Sequence, residues 1–195
     1  MAPYRMENEM VESSETVPPG RTRKGLSPTW IAAGIIALVV LALLGYALMA
    51  DPVEPPQIGS AVPDFQHTAL DGSPMSLSDH RGQVVVLNFF SSWCDPCQQE
   101  AAALEQTWRA YQGRGVQFLG IAYKDADSKA QAFLDRFGVS YPSTVDRSNR
   151  TARDYGVTGV PETFVIDQQG LLAHHFIGPI TQAQLSQEID RLLAP

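Results

Sequence analysis

The chain has two cysteines, Cys94 and Cys97, and both sit at a junction that leaves little freedom to the fold around them. Before them runs Val84-Val85-Val86-Leu87-Asn88-Phe89-Phe90, a near-continuous apolar stretch of the kind expected for a strand buried on both faces. After them Cys97, Ala101, Leu104, Trp108 and Tyr111 recur at spacings of three and four, which predicts a helix with one apolar face, ended near Gly113. A central strand passing straight into a helix through Trp93-Cys94-Asp95-Pro96-Cys97 demands an α/β arrangement and puts two thiols one helical turn apart. Such a pair can close a small, reversible disulfide, whereas any other disulfide would need a second chain. The placement points to redox chemistry rather than to a structural staple.

The helix start also distinguishes the two sulfurs. Backbone N–H groups there favour negative charge, so the Cys94 thiolate is stabilised and is the expected nucleophile. Pro96 suits the first turn, where a missing N–H costs little. Cys97 is within reach to resolve a mixed disulfide by attacking the Cys94 sulfur. Other uses of a C-x-x-C pair fit less well. Half a zinc site needs two more ligands, and His67, His80, His174 and His175 lack the usual paired spacing. Neighbouring His174 and His175 are expected to alternate across a strand, one exposed and one buried. Covalent haem needs a histidine after the second cysteine, and Gln98 stands there. An inert buried pair would leave Pro96 and the junction without a reason. No metal and no cofactor is expected.

Strand and helix signals alternate from Ala61 onward. Val62 to Leu70 is weakly strand-like, with a turn at Asp71-Gly72. Val116 to Tyr123 reads as a second central strand. Asp127 is a candidate cap for a helix carrying Ala130, Phe133, Leu134 and Phe137, stopped by Gly138. A short strand near Tyr141–Val145 and a short helix over Asn149–Tyr155 follow. Thr163–Asp167 and Leu171–Phe176 read as a hairpin, and Thr181 with Gln184 resembles a capping box opening a last helix with Leu185, Ile189, Leu192 and Leu193 inward.

The N-terminal part is of another kind. Residues 1–25 are polar, contain Pro18-Pro19-Gly20 and read as a disordered tail. Trp30 to Met49 is twenty residues without a charge, within a segment 26–50 read as a transmembrane signal-anchor helix. At about 1.5 Å rise per residue it reaches roughly 30 Å, a bilayer core. Arg21, Arg23 and Lys24 precede it, and Asp51 and Glu54 follow, which predicts a cytoplasmic N-terminus and an outer domain. A cleaved signal peptide is the competing reading, but its apolar core would be shorter and its end less bulky than Leu48. Residues 51–60, with Pro52, Pro55 and Pro56, read as a stiff spacer. The first fifty residues balance four basic against four acidic side chains, so the net charge of −7 lies entirely in 51–195. A domain so acidic repels phosphate backbones, which argues against nucleic acid as a partner.

A second motif, Gly156-Val157-Thr158-Gly159-Val160-Pro161-Glu162-Thr163-Phe164, follows about sixty residues after the cysteines. Trp-Cys-x-Pro-Cys behind an apolar strand, then Gly-Val-x-Gly-x-Pro-x-Thr-Phe, resembles the thioredoxin superfamily over residues 60–195. The apolar anchor, Glu100 three residues after Cys97 and Pro161-Glu162-Thr163 are similar to the membrane-anchored TlpA/ResA/CcmG (DsbE) group of thiol-disulfide oxidoreductases. The resemblance implies a thioredoxin-like α/β fold over residues 61–195, a central mixed β-sheet flanked by helices, plus the one N-terminal transmembrane helix. It implies that Pro161 is cis and faces the disulfide, with Val160 offering backbone hydrogen bonds to an extended substrate strand. Trp93, Pro96, Val160, Pro161 and Glu162 are the expected substrate-binding residues, and Cys94, Cys97 and Glu100 the catalytic ones.

Glu100 shares a helix face with Cys97 and is the candidate proton shuttle. Thioredoxins hold a buried aspartate six residues before the first cysteine; Asn88 stands there and cannot titrate. The group often has a proline soon after this glutamate, whereas Ala101, Ala102 and Ala103 follow here, so the local helix is open to difference. Negative charge from Asp95, Glu100 and Glu162 would raise the thiol pKa values and make the couple reducing, against the helix terminus. The resemblance further implies a monomer working outside the cell membrane on exported disulfides, with apocytochrome c as the substrate and a membrane thiol carrier of the CcdA/DsbD kind as electron donor. The segment 124–155 matches the insertion of the anchored group, there to shape partner choice or to extend the sheet. Two rival activities are a thiol peroxidase, whose Pro-x-x-x-Thr-x-x-Cys setting Cys94 lacks, and a copper metallochaperone using the thiols and a histidine.

Overall fold

The computed structural model of the protein describes residues 28–49 and 54–194. The expected polar tail, 1–25, lies outside the described residues. The chain divides into two units, 1–51 and 52–195. The described part of the first unit is helix α1, Pro28–Met49, whose apolar side chains from Ile31 to Leu44 are exposed. Counted over the described residues, no helix is long and apolar enough to cross a membrane. The uncharged run Trp30–Met49 extends past the described side chains at both ends.

The second unit opens with a short antiparallel pair, β1 (Gln66–Thr68) and β2 (Pro74–Ser76). Between them Asp71 Oδ1 accepts from Ser73 N–H at 2.8 Å and Ser73 Oγ at 2.7 Å, and Gly72 takes a φ of 88°. The Asp71-Gly72 turn was legible, but Pro74-Met75-Ser76, with one apolar side chain, gave no strand signal. After a single 3-10 turn at Ser78–His80 comes β3, Val84–Phe90, buried at every position. Helix α2 (Asp95–Tyr111), strand β4 (Val116–Ala122), helix α3 (Asp127–Phe137), strand β5 (Ser143–Val145), helix α4 (Arg150–Asp154), strands β6 (Glu162–Ile166) and β7 (Leu172–Ile177), and helix α5 (Gln182–Leu193) follow. The main sheet has the order β5-β4-β3-β6-β7. β3, β4 and β5 run parallel, while β6 is antiparallel to β3 and β7 to β6, so the sheet is mixed. β5 extends the sheet at the edge beyond β4, so the 124–155 segment does contribute a strand.

Strand periodicity divides the core. Val84 and Val86 pack with Leu104, Tyr111, Leu185 and Ile189 of α2 and α5 on one face. Val85, Leu87 and Phe89 pack with Phe65, Tyr155 and Phe164 on the other. Phe90 closes a third cluster with Cys94, Cys97, Ala101, Ala130 and Phe133 at the end of the sheet where β3 gives way to α2. Asn88, at even parity with Val84 and Val86, is thereby aimed at α2.

The helix ends mostly follow the sequence. Thr181 and Gln184 close the capping box, and Gly138 ends α3 at a φ of 65°. Asp127 is not the α3 cap. Ala126 occupies that place without a side-chain bond, and Asp127 stands in the first turn, where a carboxylate still favours the helix N-terminus. The 51–60 segment, read as a stiff spacer, is tied down at its far end. Gly59 N–H donates to the Leu172 carbonyl at 2.7 Å and Leu172 N–H to Ser60 at 2.9 Å, so the chain is stitched to β7 before residue 61.

Candidate active site

Cys94 is the N-cap of α2, in extended backbone, and Cys97 lies in its first turn. The two are joined as a disulfide with Cα atoms 5.3 Å apart. The Cys94 sulfur accepts the Cys97 N–H at 3.1 Å, taking the capping place that Ser, Thr or Asp usually fills. A negative sulfur there gains from the same amide and from the helix terminus, which favours Cys94 over Cys97 as the thiolate. The Val160 carbonyl lies 3.5 Å from Cys94 Sγ. In the closed disulfide that sulfur has no proton; once reduced, its thiol meets an acceptor. Both cysteines are buried, but Trp93 beside them is 60% exposed, with its indole N–H on the Lys124 carbonyl at 3.3 Å. Asp95 and Pro96 are exposed on the same rim.

Behind the disulfide lies a buried carboxylate. One turn on from Cys97, Glu100 is 2% exposed. Its Oε1 accepts from Asn88 Nδ2 at 2.9 Å, and its Oε2 from the Ile180 N–H at 3.0 Å. Asn88 also donates to Thr163 Oγ1, its cross-strand partner, at 3.0 Å. Burial drives the Glu100 pKa up to about 7, against the pull of the Asn88 and Ile180 hydrogen bonds. Asn88, the neutral residue at the aspartate position, thus directly orients the group that can titrate. α2 runs unbroken through Ala101-Ala102-Ala103, and Ala101 packs in the cysteine cluster.

The Gly156–Phe164 segment supplies the third wall, and its Val160–Pro161 peptide is cis. An oxidised C-x-x-C pair thus caps a helix, with a cis-proline loop against its first sulfur, and comparisons with known proteins give the family. Residues 58–175 match the AhpC/TSA family. The chain belongs to this thioredoxin-like family. Within it, the thiol-disulfide oxidoreductase ResA of Geobacillus thermodenitrificans is 32% identical over 161 residues, covering 81% of this chain and 92% of that relative. The thiol:disulfide interchange protein DsbE of Allochromatium vinosum is 35% identical over 164 residues, covering 82% and 89%. A crystal structure of a thioredoxin-family thiol:disulfide interchange protein from Chlorobium tepidum superposes with a TM-score of 0.65 at 28% identity, over 71% of this chain and 99% of that one. This AhpC/TSA member is a thiol-disulfide oxidoreductase.

The fold therefore brings Trp93, Cys94, Pro96, Cys97, Val160 and Pro161 to one end of β3, with Glu100 beneath. Glu162 departs from expectation. It pairs with Phe89 across β3 and β6, one position out of step with Asn88 and Thr163, so it faces away from α2. It is 3% exposed; Oε1 accepts from the Thr158 and Gly159 N–H groups at 3.1 and 3.2 Å, and Oε2 meets His175 Nε2 at 2.8 Å. It braces the loop from within, on the face of the sheet turned away from α2 and the thiols. His175 was not singled out for this site. His174 and His175 are both half-buried rather than split between solvent and core, because Phe176 and Phe164 each cover one ring, at 4.1 and 4.0 Å. Among the described residues no three His, Cys, Asp or Glu side chains group to hold a metal ion.

Proposed function

We propose that the protein is an extracytoplasmic reductase of protein disulfides, held to the cell membrane by its N-terminal segment. The observation that carries the chemistry is the Cys94–Cys97 disulfide at the α2 N-terminus, backed by a buried Glu100 whose pKa is raised to about 7. In the reduced protein the Cys94 thiolate attacks a substrate disulfide, forming one mixed disulfide and expelling one substrate thiolate. Cys97, giving up its proton toward Glu100, then attacks the Cys94 sulfur. The Cys94–Cys97 bond forms, the mixed disulfide breaks, and the second substrate thiolate leaves. Two electrons pass from the dithiol to the substrate, and the two leaving thiolates take up protons.

One feature favours reduction over oxidation, and a second suits a protein substrate. An ionised Glu100 disfavours thiolates beside it, which removes the advantage a strong oxidant draws from its stabilised reduced form. The rim formed by Trp93, Pro96, Val160 and Pro161 suits an extended segment lying across the sulfurs, with Val160 offering backbone bonds. The uncharged Trp30–Met49 run, with Arg21, Arg23 and Lys24 before it, supports a single pass with the N-terminus in the cytoplasm. Likeness to proteins named ResA and DsbE supports a role in cytochrome c maturation, with the C-x-x-C-H thiols of apocytochrome c as substrate and a membrane thiol carrier of the CcdA/DsbD kind as electron source.

The Cys97→Ser variant tests this reading, because without the resolving thiol the mixed disulfide on Cys94 persists. Mass spectrometry of the trapped adducts should identify exported proteins, apocytochrome c among them. Trapping of cytoplasmic proteins alone would overturn both the location and the substrate.

A further inference from the structure

We infer that His175 is a positioning residue for substrate capture, acting through Glu162 on the loop that faces the reactive sulfur. This rests on the disulfide-exchange chemistry proposed above and adds a residue to it. His175 sits on β7, opposite Phe164 on β6, and its ring lies flat on the Phe164 ring at 4.0 Å with 14° between planes. That stacking fixes the ring with Nε2 2.8 Å from Glu162 Oε2. Glu162 uses its other oxygen on the Thr158 and Gly159 N–H groups, at 3.1 and 3.2 Å. The next residue, Val160, holds its carbonyl 3.5 Å from Cys94 Sγ.

The chain of contacts runs from a half-buried ring on one strand to the peptide beside the nucleophile. Thr158 and Gly159 are exposed, so their amides have water as an alternative partner. What holds them inward is a carboxylate with 4% of its side chain exposed, kept in place by the donor from His175. Without that donor one oxygen of a buried carboxylate lacks its bond, and Glu162 gains by turning toward solvent. The loop then loses the one side chain that gathers its two amides. A substrate that binds as a strand along Val160 feels the loss, whereas a small disulfide that only meets Cys94 does not.

The test uses the full-length reduced protein in detergent, mixed rapidly with either a peptide carrying one disulfide or hydroxyethyl disulfide. The His175→Leu variant should raise the peptide concentration for half-maximal rate about tenfold, the scale of losing one partner of a buried charged hydrogen bond. Its rate with hydroxyethyl disulfide should stay within about twofold of wild type, since the sulfur chemistry is intact. His175→Gln, whose amide N–H reaches Glu162, should recover most of the peptide affinity. Thermal unfolding confirms that each variant is folded; if His175→Leu is not, His175→Asn, polar but too short for Glu162, carries the same expectation. An unchanged half-maximal concentration, an equal loss on both disulfides, or no rescue by Gln in a folded variant overturns the role of His175. A wild-type protein that reduces neither disulfide fails at the underlying reading instead, and takes this inference with it.

Discussion

Glu100 shows how one side chain ties stability to chemistry. Its folded pKa of about 7 stands above the ordinary 4.5, because burial disfavours the anion more than two hydrogen bonds favour it. Between those values the folded protein keeps a proton that the unfolded chain releases, so stability from this residue is greatest below pH 4.5 and falls as pH rises to about 7. The gap corresponds to at most about 3 kcal/mol. Urea unfolding at pH 5 and pH 8 should show wild type losing about 2–3 kcal/mol more than Glu100→Gln over that interval; parallel losses would mean that the carboxyl ionises normally. Glu100 itself was legible from its spacing to Cys97, and Asn88 from its place before the cysteines. The bond between them was not, because it depends on which face of β3 meets α2. The direction in which Glu162 faces was hidden for the same reason: one residue of register separates Thr163, paired with Asn88, from Glu162, paired with Phe89. A strand pattern read together with the Thr163–Asp167 hairpin carries that parity, and with it the pairing of Glu162 with His175.

At the scale of elements, legibility followed apolar content. β3, β4, α2, α3 and α5 announce themselves by unbroken apolar runs or by three-and-four spacing, and each forms close to where the residues place it. β2 and the stitching of Gly59 and Ser60 to Leu172 are made by backbone groups in Pro- and Gly-containing segments, where side chains say little. The join of β4 to β5 illustrates a requirement that composition hides. A methyl group on Gly120 would lie 2.4 Å from Ser143 Oγ, 3.1 Å from its Cβ and 3.3 Å from Phe90. Ser143 is buried in the partner strand, and its Cβ stays close whichever way its hydroxyl turns. Gly120→Ala should therefore cost about 1–3 kcal/mol, the range for an overpacked core. Because Phe90 also packs in the cysteine cluster, the disturbance should reach the redox pair. Chemical denaturation measures the first effect, and the equilibrium of the disulfide with a glutathione buffer measures the second. A variant as stable as wild type would show that β5 pairs more loosely than the close approach requires.

The molecule as a whole joins two parts with opposite surface character. The described side chains of α1 from Ile31 to Leu44 are exposed and apolar, with Ile36, Leu38, Leu41 and Leu43 all above 60% exposure. At about 25 cal/mol per Å², covering that exposed apolar surface is favourable, which supports the proposed anchor. The net charge of −7 resides wholly in residues 51–195, so the redox unit carries the whole acidic surplus. With Arg21, Arg23 and Lys24 close before α1 and acidic residues after it, the proposed orientation leaves Cys94 on the outer side. This can be read directly from cells carrying Cys97→Ser, in which Cys94 is the single thiol of the chain. A membrane-impermeant maleimide should label Cys94 in intact cells once mixed disulfides are released by a mild reductant, and lysis should add little. Labelling that appears only after lysis would place the nucleophile in the cytoplasm, where a glutathione pool already keeps thiols reduced. A dedicated disulfide reductant fed by a membrane thiol carrier has a purpose only in the compartment where that pool is missing, so the side on which Cys94 is labelled decides between the two.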